Sequence, residues 1–383
     1  AYRARLVRRK LIPKGNGKMR PLGIPALEDK LVQAAVTQIL LAIYEKDFLP
    51  CSYGYRLGIS AHDAVRDLTE ALQFGRYHFV YEADIKGFFE HIRWECLEGM
   101  LEQRIADRGL RNLIGKWLRA GILEEDGRVV HPQTGTPQGG IISPVLANIY
   151  LHHALDLWFE SDIRPKQRGH CRLIRYADDL VVGFEYRHEA AAFDQALRAR
   201  LTQFGLEVAA DKTKTLRFGR NGGPHNGRFD FLGFEFYWEP DRKGRPKVKR
   251  RTATKKWLAG KQRIRDWIRD HRHQRLGQTM KTLRAKLQGT WNYYGLIGNY
   301  RRMELTYEET CRALHKWLNR RSQRRSLSWP AVVGLMERFQ IPRPRIVEKP
   351  GQRMPCQQEF SFCQRVLGCL FPRRPPLADA RAS

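Results

Sequence analysis

Paired cysteines are missing from this 383-residue chain: its seven cysteines stand far apart and no CxxC occurs. That excludes a disulfide framework and a structural zinc site, and leaves reduced thiols as the expectation. Long apolar runs are missing too. The stretch from Leu31 to Tyr44 is interrupted by Gln33 and Gln38, short of the ~20 apolar residues of a membrane span. A secretory signal is not expected from the opening residues, because Arg3, Arg5, Arg8 and Arg9 are followed by no apolar core. Acidic residues are scarce beyond residue 240. Residues 241–383 carry 35 Lys+Arg and 10 Asp+Glu, whereas residues 1–240 carry 34 and 30. The total of +29 is therefore concentrated in the second part. A balanced part that holds most of the acids suits chemistry, and a polycationic part suits a polyphosphate partner.

Helical spacing of Leu31, Ala34, Ala35, Ile39 and Ile43 predicts a first helix from about Glu28, and a second covers 61–74. Residues 77–83 read as a strand ending at Asp84, and 97–105 as a helix. Asp126-Gly127 is a hairpin turn between Ile122-Leu123 and Val129-Val130. Pro144 starts a helix reaching Trp158. Strands are expected at 171–176, 180–184 and 229–238, and a helix at 190–204 stopped by Gly205. After Asp241-Arg242-Lys243-Gly244, amphipathic helices follow with basic outer faces, carrying Leu258, Ile264, Trp267 and Ile268, then Leu283, Leu287, Trp291 and Tyr294. The order is α+β with antiparallel hairpins, not regular βαβ units.

Two adjacent acids, Asp178 and Asp179, occupy a tight turn between apolar strands. Like charges so placed repel, and a divalent cation relieves the repulsion. Two such ions can clamp the attacking and leaving oxygens of a phosphoryl transfer. A third acid is needed, and Asp84 also ends an apolar strand. A solvated β-turn is the competing reading of a bare Asp-Asp.

Here the chain resembles a family. Tyr176-Ala177-Asp178-Asp179 is similar to the signature of reverse transcriptases. The blocks at 20–25 (Arg-Pro-Leu-Gly-Ile-Pro), 84–89 (Asp-Ile-Lys-Gly-Phe-Phe), 135–144, 146–151, 231–234 (Phe-Leu-Gly-Phe) and 291–295 (Trp-Asn-Tyr-Tyr-Gly) resemble, in order, those of group II intron-encoded reverse transcriptase/maturases of the bacterial type. The resemblance implies a right hand of fingers, palm and thumb. It divides the chain into 1–240 (fingers and palm, without the family's usual N-terminal extension), 241–340 (basic helical thumb/maturase domain) and 341–383 (a basic Pro/Arg-rich tail, partly disordered).

It also implies an RNA-directed DNA polymerase that copies RNA by two-metal nucleotidyl transfer and binds its intron RNA to assist splicing and mobility. Asp84 and Asp178 would bind two Mg²⁺ (or Mn²⁺), with the Ile85 carbonyl as an extra ligand and Asp179 as the supporting acid. Lys14 and Arg20 match positions that hold the incoming deoxynucleoside triphosphate. Phe89 matches a steric gate against the 2′-hydroxyl, although Phe88 or Phe89 could equally be core. Gln138 matches a residue that positions nucleotide and template, and Lys212 a palm lysine, with an ordinary surface lysine as the alternative. Lys249, Arg250, Arg251, Lys255, Lys256 and Arg263 are candidate RNA contacts. Trp291, Tyr293 and Tyr294 either stack on bases or form thumb core.

The implied partners are RNA template, intron RNA and DNA primer or target, with no membrane, in a cytoplasmic, nucleic-acid-associated setting. No DNA endonuclease is expected, since Cys356, Cys363 and Cys369 lack paired spacing and the tail holds no His. Rival readings are a catalytically silent or truncated RNA-binding splicing factor, and a reverse transcriptase co-opted for host defence or repair.

Overall fold

A computed structural model describes residues 2–13, 19–321 and 327–348; Lys14 and nearly all of the basic tail lie outside these. Strands β1 (Val7–Pro13) and β2 (Met19–Ile24) form an antiparallel ribbon, from Arg8 opposite Ile24 to Pro13 opposite Met19. Helix α1 (Leu27–Tyr44) follows. Its packed face holds Asp29, Gln33, Val36, Leu40 and Tyr44, while Leu31 and Ile39 of the expected apolar repeat are exposed. The polar members of that face are satisfied: Arg5 N donates to Asp29 Oδ2 at 3.1 Å and Ile141 N to Gln33 Oε1 at 3.1 Å.

Helix α2 (Ala61–Phe74) begins with a capping box, in which the Ser60 side chain and Asp63 satisfy each other's backbone N–H. Next come β3 (Phe79–Asp84), the short α3 (Phe88–His91), α4 (Trp94–Glu102) and α5 (Arg108–Leu118). The hairpin β4 (Ile122–Leu123) and β5 (Val129–Val130) extends the β1–β2 ribbon, with β4 parallel to β1. Helix α6 (Ser143–Leu151) has Pro144 in its first turn. It runs beyond the expected Trp158 through two π-wound segments, His152–Asp156 and Phe159–Ile163.

Strands β6 (Cys171–Tyr176) and β7 (Asp179–Phe184) precede α7 (Arg187–Gln203) and β8 (Lys214–Arg217). The central sheet runs β6-β7-β3-β8, all antiparallel. Three strands follow: β9 (Phe229–Phe231), β10 (Phe234–Pro240) and β11 (Pro246–Thr252). Residues 241–244 form the turn of the β10–β11 hairpin, so the division expected at residue 240 falls inside a hairpin. Helices α8 (Thr254–Asp270), α9 (Leu276–Tyr294), α10 (Tyr300–Leu318) and α11 (Trp329–Arg338) complete the described chain.

Among the described residues, two large apolar cores lie in different parts of the chain. One lies around the central sheet, between Val36 and Val208, with Leu40, Leu146, Phe159 and Leu180 fully buried. The other joins α8–α11 and includes Ile268, Leu283, Leu287 and Trp291. Trp291 is wholly buried and its indole N–H donates to Pro342 O at 2.9 Å, so of the three thumb aromatics it is core.

Candidate active site

Strand pairing brings the three acids together. In the β3–β7 register Asp84 lies opposite Asp179, and in β6–β7 Tyr176 lies opposite Asp179. Asp178 stands in the two-residue turn between them. The end of β3 is tied down on both sides: Ile85 N donates to Asp178 O at 3.3 Å and Ala209 N to Asp84 O at 2.8 Å.

Crowding shows in the electrostatics. Burial raises the Asp178 carboxyl, and the nearby Asp84 charge adds to this. Asp179 is pushed up to about 8, by burial first and then by Asp84, Glu82 and Asp178. Lys212 supplies positive charge by pairing with the Asp84 carboxylate; its own pKa is raised, chiefly by that hydrogen bond. Among the described residues no three acids, histidines or cysteines already converge as a ligand set. The donor chemistry nonetheless suits a hard cation, being all carboxylate with a backbone carbonyl nearby.

The turn itself rests on a buried polar network that the sequence reading missed. Ala177 has φ +55°, a left-handed conformation that is costly for alanine. The Arg175 guanidinium is fully buried. It donates to both Asp156 oxygens (2.7 and 2.6 Å), to Ser52 Oγ (2.6 Å), to Asn148 Oδ1 (3.2 Å) and to the Ala177 carbonyl (3.0 Å). Burial disfavours its charge, and the Asp156 carboxylate more than restores it, so its pKa is raised. Asn148 also donates to Gly54 O at 2.6 Å. Gly54 packs so tightly that a Cβ there would lie 2.5 Å from Ala177 N. An arginine within an apolar strand was the available signal. Its partners, distant in sequence, were not legible.

The opposite side of the site is assembled by the loop at 135–140. Thr136 N donates to Phe89 O at 2.7 Å, and Gly23 N on β2 donates to Gln138 O at 2.6 Å. Arg20 Nε donates to Gln138 Oε1 at 3.0 Å, and Arg20 lowers the Asp178 pKa electrostatically. Gly139 needs to be glycine: its φ is +109°, and a Cβ would lie 2.7 Å from Gly23 O. Phe88 is the more buried of the two phenylalanines (2 % exposed), and Phe89 lies beside it at 8 %, ring centroids 5.4 Å apart.

The expected RNA contacts separate into two groups. Arg250 requires correction: it is buried and donates to Thr69 Oγ1 at 2.9 Å, fastening β11 to α2 and offering no charge to a surface. Lys249 pairs with Glu239 at 2.8 Å, and Arg251 with Glu235 at 2.5 Å and over the Tyr237 ring. Lys255, Lys256 and Arg263 are exposed on α8.

Residues 12–236 match the family model of reverse transcriptase (RNA-dependent DNA polymerase), and residues 259–332 match the group II intron, maturase-specific domain. The group II intron-encoded protein LtrA of Lactococcus lactis subsp. cremoris is 46 % identical over 152 residues, 39 % of this chain and 25 % of that protein. Protein YkfC of Escherichia coli (strain K12) is 33 % identical over 281 residues, 64 % of this chain and 71 % of its own. The match thus spans about a quarter of the LtrA protein's length. A solved structure of telomerase from Candida albicans with a fragment of telomeric RNA has a TM-score of 0.51 at 12 % identity, covering 88 % of this chain and 62 % of that one, which is a likeness of fold.

Proposed function

The chain belongs to the reverse transcriptase (RNA-dependent DNA polymerase) family, and on that premise we propose that it extends a DNA primer on an RNA template using deoxynucleoside triphosphates. The observation that carries this reading is the cross-strand pairing of Asp84 with Asp179, with Asp178 in the adjoining turn.

Asp84 and Asp178 would hold two Mg²⁺ with the Ile85 carbonyl, and Asp179 would support them. Those ions, when bound, supply Lewis acidity and charge neutralisation at the transferred phosphoryl group. The primer 3′-oxygen attacks the α-phosphorus as the bond to pyrophosphate breaks, and the hydroxyl proton passes to solvent. Arg20, braced by Gln138, offers a guanidinium fork to the triphosphate, and Lys14 would join it. The Phe89 ring would act as the gate that excludes a ribose 2′-hydroxyl. Lys212 balances the Asp84 charge until a cation takes that part.

The maturase-specific match supports a second role, binding of a group II intron RNA during splicing and mobility, with Lys255, Lys256 and Arg263 on α8 as phosphate contacts. The acids lie at the ends of β3 and β7 and these basic side chains on α8, so the two roles should separate by mutation. Primer extension on an RNA template with Mg²⁺, beside an Asp178→Ala/Asp179→Ala control, tests the polymerase. Extension by the parent alone is the expected result. No extension by a folded, RNA-binding parent would replace the proposal with that of a non-catalytic splicing factor.

A further inference from the structure

The loop that enters α6 is fastened along its whole length by hydrogen bonds. At its start, Gly135 N donates to Ile92 O and Thr136 N to Phe89 O, both at 2.7 Å, and Trp94 Nε1 donates to Gly135 O at 2.7 Å. In its middle, Gly23 N of β2 donates to Gln138 O at 2.6 Å and Arg20 Nε to Gln138 Oε1 at 3.0 Å. One loop therefore joins the backbone of Phe89 to the side chain of Arg20.

Its far end is held by two buried polar side chains. Gln33 of α1, 4 % exposed, accepts from Ile141 N through Oε1 at 3.1 Å. Ser143, the first residue of α6 and 1 % exposed, donates to Pro137 O at 2.8 Å. A hydroxyl has one proton to give, so Thr136 Oγ1 is the donor across the 2.8 Å that separates it from Ser143 Oγ. Both side chains close on Gly140, where a Cβ would lie 2.7 Å from Ser143 Oγ and 3.6 Å from Gln33 Oε1. Any other course of the loop would strand these buried donors and acceptors at the full cost of their desolvation. Gln33 and Ser143 thus select one loop conformation without standing among the groups assigned to nucleotide or metal.

We propose that Gln33 and Ser143 are positioning residues for the incoming nucleotide: they fix the loop at 135–141, and the loop sets the Arg20 guanidinium and the Phe89 gate relative to each other. The inference rests on the polymerase reading, in which Arg20 takes the triphosphate and Phe89 screens the sugar.

Ser143→Ala and Gln33→Met in the full chain test it. Each removes hydrogen bonds of the loop and keeps most of the buried volume. Each should raise the deoxynucleotide KM about five- to tenfold while kcat and primer–template affinity stay at the parent's values, because an interaction common to ground and transition states is weakened. Discrimination against ribonucleotides should fall in the same variants. Arg20→Ala removes the group that the loop positions, so adding either substitution to it should raise KM little further. The two substitutions lie on different helices, and either one alone decides the matter if the other does not fold. An unchanged KM in a folded variant overturns the inference. So does a KM rise that adds in full to that of Arg20→Ala, or a fall in kcat with KM unmoved, as a general loosening of the fold would give. A parent that extends nothing overturns the polymerase reading instead.

Discussion

Replacing Asp156 by alanine should be among the most damaging single substitutions in this chain, although Asp156 touches no proposed substrate. The Arg175 guanidinium has no solvent exposure, and two of its five hydrogen bonds, at 2.7 and 2.6 Å, go to Asp156. Asp156 is also fully buried and supplies the balancing charge. Its removal leaves an uncompensated buried cation, which costs about 3–5 kcal/mol. A domain with about 5–15 kcal/mol of total stability would lose about a fifth of it or more. An exposed pair sets the scale. Lys86 and Glu207 meet at 3.3 Å with side chains 65 % and 72 % exposed, so Glu207→Ala should cost less than about 1 kcal/mol. Urea titration followed by circular dichroism measures both. Asp156→Leu combined with Arg175→Met should recover much of the loss, because no unpaired charge remains. An Asp156→Ala variant within about 1 kcal/mol of the parent would refute the argument, as it would mean that water or another group reaches Arg175.

Three further outcomes can be checked. Gly54→Ala places a Cβ against the Ala177 backbone; a displacement of the turn by about 1 Å should lower primer extension by about 100-fold in a protein that still folds, and an unchanged kcat would show that the turn does not depend on this contact. Phe89→Ala should weaken deoxy- over ribonucleotide discrimination by roughly tenfold or more, read from single-nucleotide incorporation; undiminished discrimination would remove Phe89 as the gate. Burial pushes His152 down to about 4, so the unfolded chain binds the extra proton between about pH 6.5 and pH 4. Stability from this group is therefore complete above pH 6.5 and falls as pH drops through that window, by up to about 3 kcal/mol. His152→Gln should flatten that part of the stability–pH curve, and an unaltered slope would assign it to other groups.

Much of the site was legible because its signals are local. Asp84, Asp178 and Asp179 each end or join apolar strands, and alternation set their register once β3 and β7 paired. The strands at 171–176 and 180–184 and the 126–127 turn carried their own signals in the same way. Other features depend on partners that no local pattern names. Helix α1 has an apolar repeat at Leu31 and Ile39, yet it buries Asp29 and Gln33, because Arg5 and Ile141 supply the backbone donors those side chains need. Arg250 reads as one of three successive basic residues, and strand alternation turns it inward towards Thr69. The π-wound continuation of α6 carries no clear signature, but it bears Asp156, and only the folded chain shows Arg175 above it.

The network under the Ala177 turn also bears on how such a chain can change over generations. Ser52, Asn148, Asp156 and Arg175 answer one another's charge and hydrogen bonds, so a change at one strands the others, and viable changes must arrive together. That interdependence runs through Arg175 and the backbone of Ala177, and the carboxylates of Asp178 and Asp179 take no part in it. In a descendant that had given up polymerisation, these acids would drift first while the supporting arginine and its partners persisted. The joint presence of both sets is thus a better mark of retained chemistry than the Tyr176–Asp179 segment alone, and this chain carries both.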